Sequence, residues 1–540
     1  MMEDTIIERK GKETQPLPES SLEFQMKEKN SELYKDKEIH KPNKVLRILL
    51  ILVIALGIRS IIGIHPHSGQ GEAPRYGDFE AQRHWLELTT NLPLLDWYVE
   101  TPDNSLDYWG LDYPPLTAYH SYILGKAANW FGIPELTELH KSRGIETSSV
   151  KAYMRITVLL ADIFILFPAI YYFLKVYYQE VMPQETFEYT LFLAIAQPTN
   201  IIIDHGHFQY NNIGIGLAIG GAALVMDQYF VLGSLLFCLS LNFKIIGLYY
   251  ALPFFFYLLG LCVFGNKHVD KRHSFLQGCL RLFKIGSTVL LTFILLWFPF
   301  ASRWKNVLSR IFPFERGLYQ DYVASAWCFL QPLKRHFTPT PALCACITLV
   351  TSLPANLKTF LKPTRSHFLF SLVLTSFSFF LFSFHVHEKT ILYPLAFTTL
   401  LIQQNAFLNQ MIPLLISVSM FSMYPLLVTD RLQFPYFVLQ LFNLFFLAPI
   451  DGIHINWPIL SSKHVDLDRG SRSHQPLNHN PSYNLFSRVI YFITILSMFI
   501  IHLLMLFVSP PSKYPYLWDY ACVSFSFLCF FGFYSVSYFI

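Results

Sequence analysis

Charge is scarce in this chain. Only 14% of its 540 residues are Asp, Glu, Lys or Arg, against 53% hydrophobic and 17% aromatic, and mean hydropathy is +0.35. That excludes ordinary soluble domains, in which about a quarter of residues are charged. Strand-like alternation is also rare, which excludes a β-barrel, whose strands alternate lipid-facing and interior residues. The eight cysteines lie mostly in or beside apolar runs; they read as unpaired core thiols, with neither a disulfide framework nor a CxxC metal site. No cleavable signal peptide precedes the first apolar run, so Val45–Ile64 reads as a signal anchor. Inside the runs the ionisable residues are Arg59, Arg155 and Asp162, with Lys244 at a boundary. They are too scattered along the chain to lay out an ion pathway. A net charge of +4 gives no reason to expect a nucleic-acid partner.

What the chain has in abundance is long apolar runs. Spans are expected at 45–64, 154–176, 187–203, 212–227, 229–241, 245–264, 282–300, 341–359, 367–384, 390–404, 409–428, 433–449, 486–508 and 515–536, about fourteen in all. The fold class is therefore an all-α, polytopic membrane protein. Residues 1–44, rich in Lys and Glu, read as a disordered tail ahead of a membrane domain at 45–540. Basic residues of the tail, Lys35, Lys37, Lys41 and Lys44 among them, keep it cytosolic by the positive-inside rule. The loops at 265–281, 360–366 and 450–485 are basic and fall on the same side; the last reads as a flexible connector. The first loop, 65–151, then lies opposite and is the longest between two spans.

Most polar motifs fall on that opposite face. "GDFEAQRHW" (77–85) packs ionisable groups together: Glu80, Arg83, His84 and Glu87 share one helical face. It reads either as an interfacial amphipathic helix with Asp78 as N-cap and an exposed charged stripe, or as a general base held at the membrane surface. "DHGHFQYN" (204–211) and "FHVHEK" (384–389) bring His205, His207, His385 and His387, which suit a metal, an anion or sugar, or helix capping. His387 and Lys389, with Arg310 and Arg316 of "RIFPFERG", would suit a lipid phosphate; snorkelling and a solvated loop are the bland alternatives. "DYWGLDYPPLTAYHS" (107–121), with Asp112, Tyr113 and neighbouring aromatics, suits a sugar or an interfacial belt.

Together "GDFEAQRHWLELT", "DWYVETPDNSLDYWGLDYPPLTAYHS", "SRG" (142–144), "DHGHFQYN", "RIFPFERGL" and "VHEKTIL" resemble the endoplasmic-reticulum glucosyltransferases of asparagine-linked glycosylation, members of the GT-C membrane glycosyltransferases. The resemblance runs from 45 to about 450. It implies a multi-pass endoplasmic-reticulum enzyme with a lumenal active site. The reaction implied is inverting α-1,3 transfer of glucose from dolichyl-phosphate-glucose to a dolichyl-pyrophosphate-linked oligosaccharide. "DHGHFQYN" looks more like the enzyme that adds the first glucose to the nine-mannose glycan, whereas Gln320, Tyr322 and Ser325 depart from its pattern and leave the second glucosyltransferase as the alternative. A lipid transporter is the alternative from another class. Asp78 matches the family's base, and His387 and Lys389 match groups near the donor phosphate. Arg316, His205, His207, Arg83, Asp112 and Tyr113 are expected to bind substrate, with neither metal nor cofactor.

Overall fold

A computed structural model describes residues 43–178, 182–264, 271–312, 322–333, 338–447 and 481–539. The expected tail, apart from Asn43 and Lys44, and nearly all of the 450–485 connector lie outside them. The chain divides into two units, Met1–Ile51 and Leu52–Ile540. In the first, residues 44–51 are helical. The site and the contacts described below lie in the second.

The regular elements of the described residues are all helical, and their one strand-like feature is an isolated bridge between Thr101 and Asn104. Among the described residues, eight helical stretches are long and apolar enough to cross a membrane: Lys44–Ile64, Ser148–Tyr178, Ile245–Phe264, Phe275–Phe300, Pro341–Leu361, Arg365–Phe382, Arg488–Phe507 and Leu517–Ser537. Three shorter apolar helices, Asn211–Met226, Phe230–Phe243 and Phe407–Ser422, match further expected runs. The runs at 187–203, 390–404 and 433–449 are short or broken instead. In the first, the helix Gln184–Ile195 stops, Pro198 restarts the chain, and a π-helical segment carries it from Ile201 to Phe208. Pro198 lacks the N–H an uninterrupted helix needs there, and the Gln197 side chain accepts the Asn200 N–H at 2.9 Å.

Five helices position the site: α1 (Lys44–Ile64), α2 (Gly77–Asn91), α3 (Pro115–Trp130), α4 (Ser148–Ala161) and α5 (Phe167–Tyr178), the last two joined by a π turn at Asp162–Leu166. Helix α2 packs against α3 and is apolar on two sides. Phe79 and Leu86 join a cluster with Met154, Phe208 and Tyr210, while Trp85 joins Trp97, Leu111 and Phe300. Its charged face is not exposed. Glu80, Arg83, His84 and Glu87 are each at most 1% accessible, which corrects the expectation of a solvated stripe. The rest of the first loop folds over that face: Arg83 donates to Leu136 O at 3.0 Å, the His140 N–H donates to Glu87 at 2.7 Å, and Tyr108 donates to Glu80 at 2.9 Å.

The entry into α2 is set by backbone crowding. Gly77 has φ +69°, and a Cβ on it would stand 2.7 Å from the Ser68 backbone. Only glycine takes that conformation in that space without strain. The close approach lets the Asp78 N–H donate to Ser68 Oγ at 3.2 Å. The cap position is Tyr76, with no side-chain cap bond, so the reading of Asp78 as an N-cap fails. Its carboxylate is turned elsewhere.

Candidate active site

The Asp78 carboxylate faces the π-helical segment and the start of the Glu388–Ile391 turn. Three donors converge on one of its oxygens: Gln209 Nε2 at 2.5 Å, Lys389 Nζ at 2.6 Å and His207 Nε2 at 3.0 Å, all on Oδ2. Among the described residues no donor bonds Oδ1. Burial alone would raise the carboxyl, but the Lys389 ammonium and the His207 hydrogen bond outweigh it and hold Asp78 well below the usual carboxylate range. His207 is bonded on its other side as well, with Nδ1 2.5 Å from Asp430 Oδ2. Burial and Lys389 act to lower that imidazole, yet the two carboxylates raise it overall. Lys389 is raised too: the Asp78 charge, followed by that of Glu388, overcomes burial. The cluster thus pairs ionised Asp78 with the Lys389 ammonium and with an imidazole whose protonated form the two carboxylates favour.

Behind it runs a chain of amides and charges. Asn211 donates to Gln209 at 2.9 Å and to Asp204 at 2.7 Å, and Lys244 donates to Gln209 at 3.1 Å and to Asn211 at 2.5 Å. Deeper, Arg59 Nε lies 2.5 Å and His205 Nε2 2.9 Å from Asp162 Oδ2, and Asn212 bonds the other oxygen of that carboxylate at 2.9 Å. Arg59 and Asp162, 103 positions apart, look scattered along the chain; helix packing makes them one buried ion pair.

A cavity of about 440 Å³ opens beside Asp78, lined by Trp85, Trp109 and Tyr113 and by His385, His387 and Lys389. Asp112 lines it as well, and the Tyr113 ring packs against Trp85 at 4.8 Å and under Lys244 Nζ at 4.9 Å. Aromatic faces, carboxylates and cations around one void can hold a sugar and its phosphate while a carboxylate removes a proton.

Of the residues expected from sequence, Asp78, Asp112, Tyr113, His387 and Lys389 line this cavity, and His207 bonds Asp78 from behind. His205 turns away to Asp162. Arg83 is fully buried and forks onto Glu80, at 2.7 and 2.6 Å, and Glu87, at 2.7 Å, so it braces α2 and does not border the void. Arg316 and Gln320 lie outside the described residues. Among the described residues no group of three or more His, Cys, Asp or Glu side chains is placed to hold a metal. Three participants carried no assigned role in the sequence: Gln209, although it sits in "DHGHFQYN"; Lys244, visible only as a cation at a span boundary; and Asp430, isolated in "LLVTDRLQF".

Residues 45–536 match the family described as the ALG6, ALG8 glycosyltransferase family. The chain is 39% identical over 493 residues to a Dictyostelium discoideum protein named probable dolichyl pyrophosphate Man9GlcNAc2 alpha-1,3-glucosyltransferase, covering 89% of this chain and 92% of that one. A protein of the same name from Arabidopsis thaliana is 39% identical over 500 residues, covering 90% and 88%. The Saccharomyces cerevisiae protein named dolichyl pyrophosphate Man9GlcNAc2 alpha-1,3-glucosyltransferase is 37% identical over 519 residues, covering 92% of each.

Proposed function

The chain belongs to the ALG6, ALG8 glycosyltransferase family, and on that premise we propose that it transfers the first α-1,3-glucose onto the dolichyl-pyrophosphate-linked nine-mannose glycan, with dolichyl-phosphate-glucose as donor. The relatives' names support the acceptor and the linkage. The observation that carries the site assignment is the asymmetry of Asp78, which lines the cavity: Oδ2 holds three donors while Oδ1 is bonded by no described residue.

In this reading Asp78 Oδ1 takes the proton of the acceptor hydroxyl as that oxygen attacks C1 of glucose. The C1–O bond to phosphate breaks, its electron pair stays on dolichyl phosphate, and a β-linked donor gives an α-linked product. The phosphate leaves unprotonated because cations stabilise the charge it gains. Lys389 and His387 border the void and serve that role. Lys389 also bonds Asp78. As the leaving phosphate draws the ammonium to itself, the restraint on Asp78 relaxes and the carboxylate becomes a stronger base when it is needed. His207, seated on Asp430, and Gln209 keep Oδ2 fixed throughout.

The active site is assigned to the lumenal face and the N-terminus to the cytosol, a reading supported by the basic residues of the tail and of the 360–366 loop. The test is incubation of purified protein in lipid with dolichyl-phosphate-glucose and either the nine-mannose acceptor or its monoglucosylated form. We expect transfer to the first. Exclusive use of the second would assign the chain to the other glucosylation step, and lipid movement without sugar transfer would identify a transporter.

A further inference from the structure

A second cavity, of about 600 Å³, lies where α1 ends and α4 begins, with His205 and the 63–67 stretch on its walls. The ends of two helices long and apolar enough to span a membrane meet there, and the ends of such spans are where lipid headgroups are expected. Ile61, Ile64 and Ile156 beside it are exposed apolar side chains, as an opening towards lipid requires.

The walls are basic and incompletely partnered. Arg155 donates to the carbonyl oxygens of His205, His65 and Gly206, so its geometry is fixed, yet no carboxylate of the described residues pairs with it. Lys151 also lines the void, and no described residue forms a hydrogen bond or ion pair with its ammonium. His67, 2% exposed, donates through Nδ1 to Ser68 O at 3.2 Å, which leaves a lone pair on Nε2. That atom is buried and has no hydrogen-bond partner; the nearest charged group is the Glu146 carboxylate at 3.8 Å, which itself accepts the Gly71 N–H. Burial, reinforced by Arg155 and Lys151, lowers this imidazole to about 3 despite the bond to Ser68, so it is a neutral acceptor on the cavity wall.

We propose that this cavity seats the phosphate of a membrane lipid, gripped by Lys151 and Arg155, with a hydrogen-bond donor of the headgroup reaching His67 Nε2. A partly buried guanidinium without a counter-ion is costly, and a phosphate supplies the missing charge at the depth where phosphates are concentrated. A bare phosphodiester has no proton for His67; a hydroxyl on the headgroup does. Two lipids carry that chemistry, a glycerophospholipid of the surrounding leaflet and a sugar-bearing polyprenyl pyrophosphate. The inference does not depend on the transferase reading.

Native mass spectrometry of the full chain tests it, with phosphatidylglycerol, which carries phosphate and hydroxyls, against phosphatidylcholine, which has no headgroup donor. Phosphatidylglycerol should be retained more tightly, and Lys151→Gln should weaken its retention by about tenfold, the scale of one charge-assisted hydrogen bond. His67→Phe preserves the ring stack on Phe79, at 3.8 Å, and should erase the preference between the two lipids. Displacement of phosphatidylglycerol by a polyprenyl pyrophosphate bearing N-acetylglucosamine would assign the seat to pyrophosphate lipids, and failure to displace it to the bulk leaflet; both outcomes support a phosphate seat. Equal retention of phosphatidylglycerol by the unaltered chain and a folded Lys151→Gln variant would overturn the proposal.

Discussion

Lys389 touches both halves of the proposed chemistry, and its replacement separates them. With the ammonium gone, the Asp78 carboxyl is no longer held so far below the usual range, so the base is protonated at a higher pH. A depressed carboxylate is active above its own pKa and fails as pH falls through it; in Lys389→Gln the acid limb of kcat/KM should therefore move to higher pH. Turnover should fall by about 100-fold to 1,000-fold, as when one group stabilising transition-state charge is lost. A pH profile of the purified variant reads both effects, and an unmoved acid limb would disconnect Lys389 from the base. Glu80 bears on stability instead. Lying on the face expected to be solvated, it is the natural control for Asp78, yet it is buried and takes two bonds from Arg83. Glu80→Gln should cost on the order of 2–3 kcal/mol by leaving a buried guanidinium short of charge, read as a lower Tm. An unchanged Tm would mean that Arg83 does not need it. Ionisable residues in polar motifs, Asp78 and Lys389 above all, were legible in the sequence. Asp430 was not: its partner His207 is 223 positions away, and no local pattern announces a contact of that range.

At the scale of elements, helical periodicity located α2 but not its surroundings. The same spacing that draws a charged stripe on a surface helix serves a buried one when the loop beyond supplies Leu136 O, Tyr108 and the His140 N–H as partners. The apolar run at 187–203 was visible; its break at Pro198 and the π-helical turn that delivers Asp204, His205 and His207 to the interior were not, because hydropathy does not register helix type. The glycine before Asp78 is the most exposed to test. Gly77→Ala sets a Cβ 2.7 Å from the Ser68 backbone at φ +69° and should cost about 1–3 kcal/mol. Both Tm and turnover should drop. Gly57→Ala, whose Cβ would meet nothing within 4 Å, should leave turnover unchanged and not lower Tm, and equal behaviour of the two variants would remove the backbone argument.

For the whole molecule, composition and run length were enough for an all-α membrane protein, and the eight long helices agree with it. Run length overstates uninterrupted spans, since an apolar stretch in a large bundle can equally be a broken helix buried by its neighbours. Orientation has its own test. Thiols introduced at Asp103, in the first loop, and at Lys362, after Pro341–Leu361, should differ in access: a membrane-impermeant reagent on the lumenal side should label the first and spare the second. The reverse pattern would place the cavity beside Asp78 in the cytosol and exclude a lumenal donor. The most direct measurement of the central claim is single-turnover glucose transfer by Asp78→Asn. Asparagine retains an oxygen to accept the bonds now made to Oδ2 but replaces the open Oδ1 by an amide. Transfer should fall by about 100-fold to 10,000-fold, the usual worth of a positioned base, with donor-lipid binding retained; Tm should fall as well, since Lys389 and His207 lose a counter-charge. Transfer at close to the unaltered rate would contradict the account.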